Sequence, residues 1–444
     1  MQNMENKIIT LQDIESIDPK IIAKILYEVI QFDERLYQKV QSTLMKNNTP
    51  ALQKQLTKRI NSISRGRKFI EYRYSFELAK DIEMIVDNIR ELVEDKKAAL
   101  KLLKKLILTD ENLFARCDDS SGSVQMSYGY AQELYREYAP KYLDEKILLK
   151  DLQELLILDG YGMREILDES TPQDVLTTIY DTILEKYIAH KEEFGGYTYQ
   201  HILQTIARLL KKPELYVNAL KRKGVELKDY ILLDIALEYK AIADEVKTTE
   251  YLGRIQEIPV NGVSEYFEAL LWCDEKRGDQ LALTGHLKDY YEKTHSTTIL
   301  KRYLDRFDGE LYKQEKMRIL NNAQSLSFDE AIDQFIALDA KEMCAAFIQN
   351  KLPSISYINY YTIKDVEQFL GDEYAEIIIQ LYKVQIDDLL KVANTKYYPT
   401  VVKTLKKIEK LGDASSQEYI QKIVEKHHKK KTLMRLLSEA FPEI

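Results

Sequence analysis

The sequence predicts an all-α fold, and three observations carry that prediction. Turn-formers are scarce, with 15 Gly and 9 Pro in 444 residues, against roughly 12% for the two in average usage. Elements should therefore be long and breaks few. Apolar residues recur at steps of three and four wherever a period can be read. No stretch sustains two-residue alternation with Val, Ile and Thr enrichment. The most strand-like segment, residues 354–362, is flanked by helical pattern and reads as a loop entering a helix.

The elements follow in chain order. From Phe76 the apolar positions run Leu78/Ala79, Ile82, Ile85/Val86, Ile89 and Leu92/Val93, one stripe on a helix face. Ala98/Ala99, Leu102/Leu103 and Leu106/Ile107 resume it beyond Glu94-Asp95, which predicts a helix hairpin. Thr171-Pro172-Gln173-Asp174 offers a capping hydroxyl, a proline at the first helical position and an acid in the first turn. Lys276-Arg277-Gly278-Asp279 is a short turn between helices. Ser327-Phe328-Asp329-Glu330 has capping-box spacing. Pro399 can start a helix ending near Gly412, with Ser415 or Ser416 capping the next.

Residues 264–295 and 327–353 each read as a helix pair, close to the ~34 residues of a tetratricopeptide unit. The expected architecture is an α-solenoid of tetratricopeptide-like stacked helix pairs, degenerate because no strict period emerges. Residues 1–142 read as an N-terminal helical domain and 143–444 as the repeat region. The 31 Tyr fall mostly beside apolar stripes. Their rings are expected between helices, with the hydroxyls reaching solvent or a neighbour, and an aromatic binding groove is the alternative.

Composition narrows the function classes. Apolar residues make up 45% and charged residues 31%, a globular balance, and the net charge is -8. That acidity argues against nucleic acid as a whole-surface partner, though a local patch could still bind it. Residues 1–7 lack the order of a secretory signal. No apolar run approaches a membrane span; residues 147–158 are interrupted by Lys150, Asp151, Gln153 and Glu154. Cys117, Cys273 and Cys344 are an odd, dispersed set, which points to a reducing, cytoplasmic setting. No membrane association is expected.

Catalytic and metal motifs are not found. There is no phosphate loop, nucleophile elbow, His-Glu-x-x-His or Cys-x-x-Cys. Asp159-Gly160-Tyr161-Gly162 lacks the third glycine of a dinucleotide loop and reads as a helix-ending turn. The histidines at 190, 201, 286, 295, 427 and 428 lack convergent ligand spacing and read as surface residues, so neither metal nor cofactor is expected. Asp234, Glu238 and Lys240 superficially match a metal-dependent nuclease pattern, but they lie on a helical stripe with Glu238 and Lys240 expected in solvent.

Three features stand out. Residues 35–70 carry Arg35, Lys39, Lys46, Lys54, Lys58, Arg59, Arg65, Arg67 and Lys68 and no acid, which reads first as a solvated helix face balanced in space by acids elsewhere and second as a local positive field. Arg116-Cys117-Asp118-Asp119-Ser120-Ser121-Gly122-Ser123-Val124 is the densest polar loop. Its side chains are expected to bond orphan amides at the start of the next helix, with ligand binding the alternative. The third is a basic cluster at residues 422–435, suited to a helix C-terminus.

These residues also carry a resemblance. Arg65-x-Arg67-x-Phe69-x-x-Tyr72, Phe76-x-Leu78-Ala79 and Arg116-x-Asp118-Asp119-Ser120-x-Gly122-x-Val124 resemble an uncharacterised bacterial family, domain of unknown function 6880. Tyr397-Tyr398, Leu405, Tyr419, Ile423, His428-Lys429-Lys430-Lys431, Leu433, Leu436 and Leu437 resemble its closing repeats. Those repeats are similar to the tetratricopeptide-like region of bacterial SWIM zinc-finger proteins; the zinc-finger cysteines are absent here, so no metal is carried over. The specific motifs cover about residues 51–140, and a looser match covers 397–441. The resemblance implies a helical-repeat fold and no settled activity. It also favours one polar cluster, for which Arg65, Arg67, Lys68, Arg116, Asp118, Asp119, Ser120 and Gly122 are the candidates.

The sequence therefore points first to a non-catalytic scaffold that binds another macromolecule, most readily protein. The second reading is nucleic-acid binding through residues 35–70. The third is an enzyme whose site is assembled from several helices.

Overall fold

A computed structural model describes residues 10–190, 193–355, 357–392, 394–411 and 414–442, without the side chains of 193–196 and 414–416. The regular elements of the described residues are all helices, apart from one isolated parallel β-bridge between Ile70 and Cys117. The all-α expectation holds. The chain divides into two compact units, residues 1–257 and 258–444. The boundary expected at 142/143 falls inside the first unit, where one helix ends at Tyr142 and the next begins at Glu145.

The first unit opens with α1 (Leu11–Glu15), α2 (Pro19–Val29), α3 (Glu34–Leu44) and α4 (Thr49–Arg65). Next come α5 (Tyr72–Leu92), α6 (Lys96–Ile107), α7 (Asp110–Phe114), α8 (Ser123–Tyr142) and α9 (Glu145–Ile157). It closes with α10 (Gln173–Ala189), α11 (Glu193–Leu209), α12 (Pro213–Lys223), α13 (Asp229–Ala241) and α14 (Glu245–Leu252). The predicted hairpin is α5 with α6, and both helices also pack on α8. Ala79, Ile82, Ile85, Val86, Ile89 and Leu92 of α5 are buried, each Ile, Val and Leu side chain contributing roughly 1.5–3 kcal/mol. The stripe departs from expectation at its start, because Phe76 is 56% exposed and Ser75 takes the buried position beside it. Asp95 starts α6 by accepting from the amides of Lys97 (3.0 Å) and Ala98 (3.3 Å). Tyr128 and Tyr135 of α8 are buried to the core, the Tyr128 hydroxyl 2.7 Å from Thr109 Oγ1.

The second unit contains α15 (Val263–Arg277), α16 (Gln280–Thr294), α17 (Thr297–Leu304), α18 (Gly309–Ala323), α19 (Phe328–Ala337) and α20 (Lys341–Lys351). It ends with α21 (Tyr360–Leu370), α22 (Ala375–Lys391), α23 (Tyr398–Leu411), α24 (Ala414–His427) and α25 (Lys431–Ala440). The two expected helix pairs are α15 with α16 and α19 with α20, each packed against its neighbour. Gly278 makes the first turn in the left-handed region, at φ 69°, and Asp279 caps α16 through the Ala282 amide at 3.0 Å. The capping box at Ser327 and Glu330 is formed in both directions. Residues 357–359 form the expected loop into α21, capped by Asn359.

Two caps differ from expectation. α10 begins at Gln173, and the Thr171 hydroxyl accepts from the Asp168 amide at 3.2 Å, closing the preceding turn instead of capping the helix. α24 already begins at Ala414, so Ser415 and Ser416 lie inside its first turn; their side chains fall outside the described residues, as does Gly412.

Candidate functional site

The polar loop predicted at residues 116–124 connects α7 to α8 and is tied by hydrogen bonds to the end of α4. The amide of Ile70 donates to Arg116 O at 2.8 Å, and the amide of Asp118 donates to Ile70 O at 2.9 Å. This two-bond ladder clamps the segment leading into α5 against the loop leading into α8. The Arg116 guanidinium crosses the junction and donates to Ile63 O and, at 3.3 Å, to Lys68 O. Ile63 lies in the last turn of α4, where carbonyls lack helical partners, so Arg116 acts as a C-terminal cap. Gly66 permits this passage, since a Cβ there would lie 2.6–2.8 Å from the guanidinium.

The Asp119 carboxylate accepts from the amides of Val124 (3.0 Å) and Gln125 (2.8 Å), filling orphan donors at the head of α8. Asp118 Oδ1 accepts from the hydroxyl and amide of Ser120, which hold its carboxyl below the ordinary range. Gly122 turns the chain at φ 71°. Arg116, Asp118, Asp119, Ser120 and Gly122 are thus brought together as the junction's own scaffolding.

Arg65, Arg67 and Lys68 are not drawn into that network. All three are exposed, and among the described residues neither arginine pairs with Asp118 or Asp119. Both carboxylates already serve backbone amides and hydroxyls. The cations project from a chain held by the Ile70–Cys117 bridge.

Beside them lies a feature that the sequence reading missed. Phe69, Tyr72, Tyr74 and Phe76 are 65%, 57%, 52% and 56% exposed, four large aromatics within eight residues. Tyr72 and Phe76 are one turn apart on α5, next to the buried Ser75–Ala79 register. Arg73 lies over the Tyr74 ring at 4.8 Å and Lys80 over the Phe76 ring at 4.3 Å. Met126 and Tyr130 are exposed one turn apart on α8, the helix packed on α5. The available signal was register: Tyr74 and Phe76 flank the buried Ser75 and cannot share its face.

The basic segment is only partly a free field. Lys39, Lys46, Lys54, Lys58, Arg65, Arg67 and Lys68 are exposed. Arg35 instead pairs with Glu77 and, at 2.8 Å, with Asp81 on α5. Arg59 is half-buried, and desolvation lowers its pKa. Late in the chain, Lys426 and His427 occupy the last turn of α24 as expected.

A second polar assembly surrounds the turn after α9. Asp159 folds this turn by accepting from the amides of Met163 (3.1 Å) and Arg164 (2.8 Å). The buried Arg164 makes a two-point ion pair with Asp110, at 2.7 and 2.6 Å, and donates to Leu155 O at 2.7 Å. A cavity of about 630 Å³ opens beside it, with Arg136, Tyr197, His201 and Arg208 among its walls. Arg136 is engaged by Asp168 and Glu165 O, and Arg208 by Glu238. No Ser, Cys or Lys lines the cavity among the described residues, so it presents no nucleophile of those types.

Two chemical expectations change. Glu238 is buried, held by Arg208 and by Gln204 at 2.9 Å, because α13 turns it toward α11. Burial also raises the Asp234 pKa, with Glu238 adding to the effect. His286 is half-buried and bonds the fully buried Asp274 at 2.6 Å, so it is no free surface group. Among the described residues, no group of three His, Cys, Asp or Glu could hold a metal ion. No helix among them is long and apolar enough to cross a membrane.

Comparison with known proteins places the junction within a family match. Residues 5–220 match the model of a family of unknown function (DUF6880), a stretch that runs from before α1 into α12 and includes both polar assemblies. The motifs at residues 65–79 and 116–124 lie inside this match, and those at 397–441 lie outside it. No curated protein matches the chain.

Proposed function

We propose that this protein is a non-catalytic helical scaffold that binds another protein through the surface of residues 65–76. The observation that carries the reading is the exposed set Phe69, Tyr72, Tyr74 and Phe76, flanked by Arg65, Arg67, Lys68 and Arg73. Aromatics, Met and Arg are the residue types enriched at protein interfaces, and exposed apolar clusters mark interaction sites. The junction beneath them is tied by backbone and guanidinium bonds, so the surface is preorganised and loses little entropy on binding.

The successive helix pairs support a degenerate α-solenoid, tetratricopeptide-like in its closing part and similar there to the SWIM-protein repeats. Cys117, Cys273 and Cys344 form no disulfide and two of them are buried, which supports a reducing cytoplasm as its setting.

The seven exposed cations along residues 39–68 favour nucleic acid as a second reading. Against it, Arg35 is already paired with Glu77 and Asp81, and Arg73 with Glu71, so these two cations are not open to phosphates. The test is recovery of the tagged protein from its host at moderate salt, beside a Phe69→Ala/Tyr72→Ala/Phe76→Ala variant. The reading expects a stoichiometric protein that is lost with the variant. Nucleic acid released at high salt, with no protein partner, would replace it with the second reading.

A further inference from the structure

Lys97, Lys101 and Lys105 recur at every fourth residue of α6 and so stand in a line along the helix, about 6 Å apart. None of the three has a carboxylate partner among the described residues. Four nearby acids are engaged elsewhere. Asp95 caps α6, and Asp144 caps α9 through the Ile147 amide at 3.0 Å. Asp151 and Glu154 both hold Lys104, each at 2.7 Å from its Nζ. Burial would lower the Lys104 pKa, but these two carboxylates outweigh it and raise it. Lys104 is thus a structural cation and its three neighbours are not.

A cleft of about 450 Å³ lies along this lysine line, between α6 and α9. Its apolar walls are Leu100, Leu108, Leu143 and Ile147, and Ile147 is 46% exposed. An isoleucine half in water beside three unpaired cations is an arrangement that the chain itself does not complete.

We propose that the α6–α9 cleft docks an acidic amphipathic helix of a partner protein. Apolar side chains of that helix fill the cleft, while carboxylates one turn apart meet Lys97, Lys101 and Lys105. The spacing suits a helix, whose residues at i, i+4 and i+8 repeat at the same ~6 Å interval. The walls carry no aromatic ring on which a base could stack, so the cleft fits a protein better than a nucleic acid. This proposal rests on the partner-binding reading but uses a surface separate from residues 65–76.

The test is fluorescence anisotropy of the full chain with a labelled helix-forming peptide roughly four turns long. The peptide carries Glu at one-turn spacing beside a Leu stripe; a scrambled peptide of the same composition and a single-stranded RNA serve as competitors. The ordered peptide is expected to bind more tightly than the scrambled one, with affinity falling as salt rises. Lys97→Glu/Lys101→Glu/Lys105→Glu should weaken it about tenfold or more, and Ile147→Ser should weaken it with no loss of salt dependence. Phe69→Ala/Tyr72→Ala/Phe76→Ala should leave it unchanged. Equal binding of the scrambled peptide, displacement by RNA, or indifference to the lysine reversals would overturn the proposal. Loss of peptide binding in the aromatic variant alone would also overturn the cleft, while leaving the partner-binding reading intact. Circular dichroism on each variant confirms that the fold is kept.

Discussion

Gly66 and Arg116 form one device, because the guanidinium occupies the space a Cβ would need. Gly66→Ala should push Arg116 away from Ile63 O and Lys68 O, costing about 1–3 kcal/mol for charge-assisted bonds. Arg116→Ala should cost a similar amount. The double variant should cost little more than either, because both remove the same contacts; urea denaturation of the three variants measures this. Arg164 is the harsher case. With Arg164 and Asp110 side chains 1% and 6% exposed, Asp110→Ala strands a buried cation and should destabilise by about 3–5 kcal/mol. A loss below 1 kcal/mol in urea denaturation would show that solvent or another acid reaches Arg164.

Between elements, the second unit carries a titratable tie. Glu367 of α21 accepts from Lys407 Nζ of α23 at 2.6 Å, and that lysine also bonds the Tyr382 hydroxyl of α22 at 2.8 Å. Burial would raise the Glu367 pKa, but Lys407 and Tyr382 outweigh it and hold it below the ordinary value. A folded-state pKa below the unfolded one stabilises above the unfolded value, and that contribution is lost as pH falls through the folded one. Thermal melts taken downward from pH 6 should therefore show less acid sensitivity in Glu367→Gln than in the parent. Identical pH slopes would deny the tie any role. Helix ends explain much of what could be read beforehand. The Ser327–Glu330 box and the Gly278 turn are local, and local chemistry is legible from spacing alone. Thr171 was misread because a neighbouring turn competes for the same hydroxyl. Phe76 was misread because an apolar residue beside a stripe looks like part of it until the register is fixed by packing.

For the whole molecule, the all-α class was legible because periodicity sums over hundreds of residues. The site was not, because its meaning depends on pairings across long sequence gaps. Asp110 with Arg164 and Glu238 with Arg208 are absent from any motif, yet they decide which charges are free. The same holds for Asp118 and Asp119, whose bonds within residues 118–125 leave Arg65 and Arg67 unpaired. The proposed protein-binding role of residues 65–76 is tested by isothermal titration of the co-purified partner against the parent and Phe69→Ala/Tyr72→Ala/Phe76→Ala. If these rings are the anchors, affinity should fall by about 30-fold or more, with the melting temperature unchanged because the rings face solvent. Equal affinity for the parent and the variant would contradict the claim.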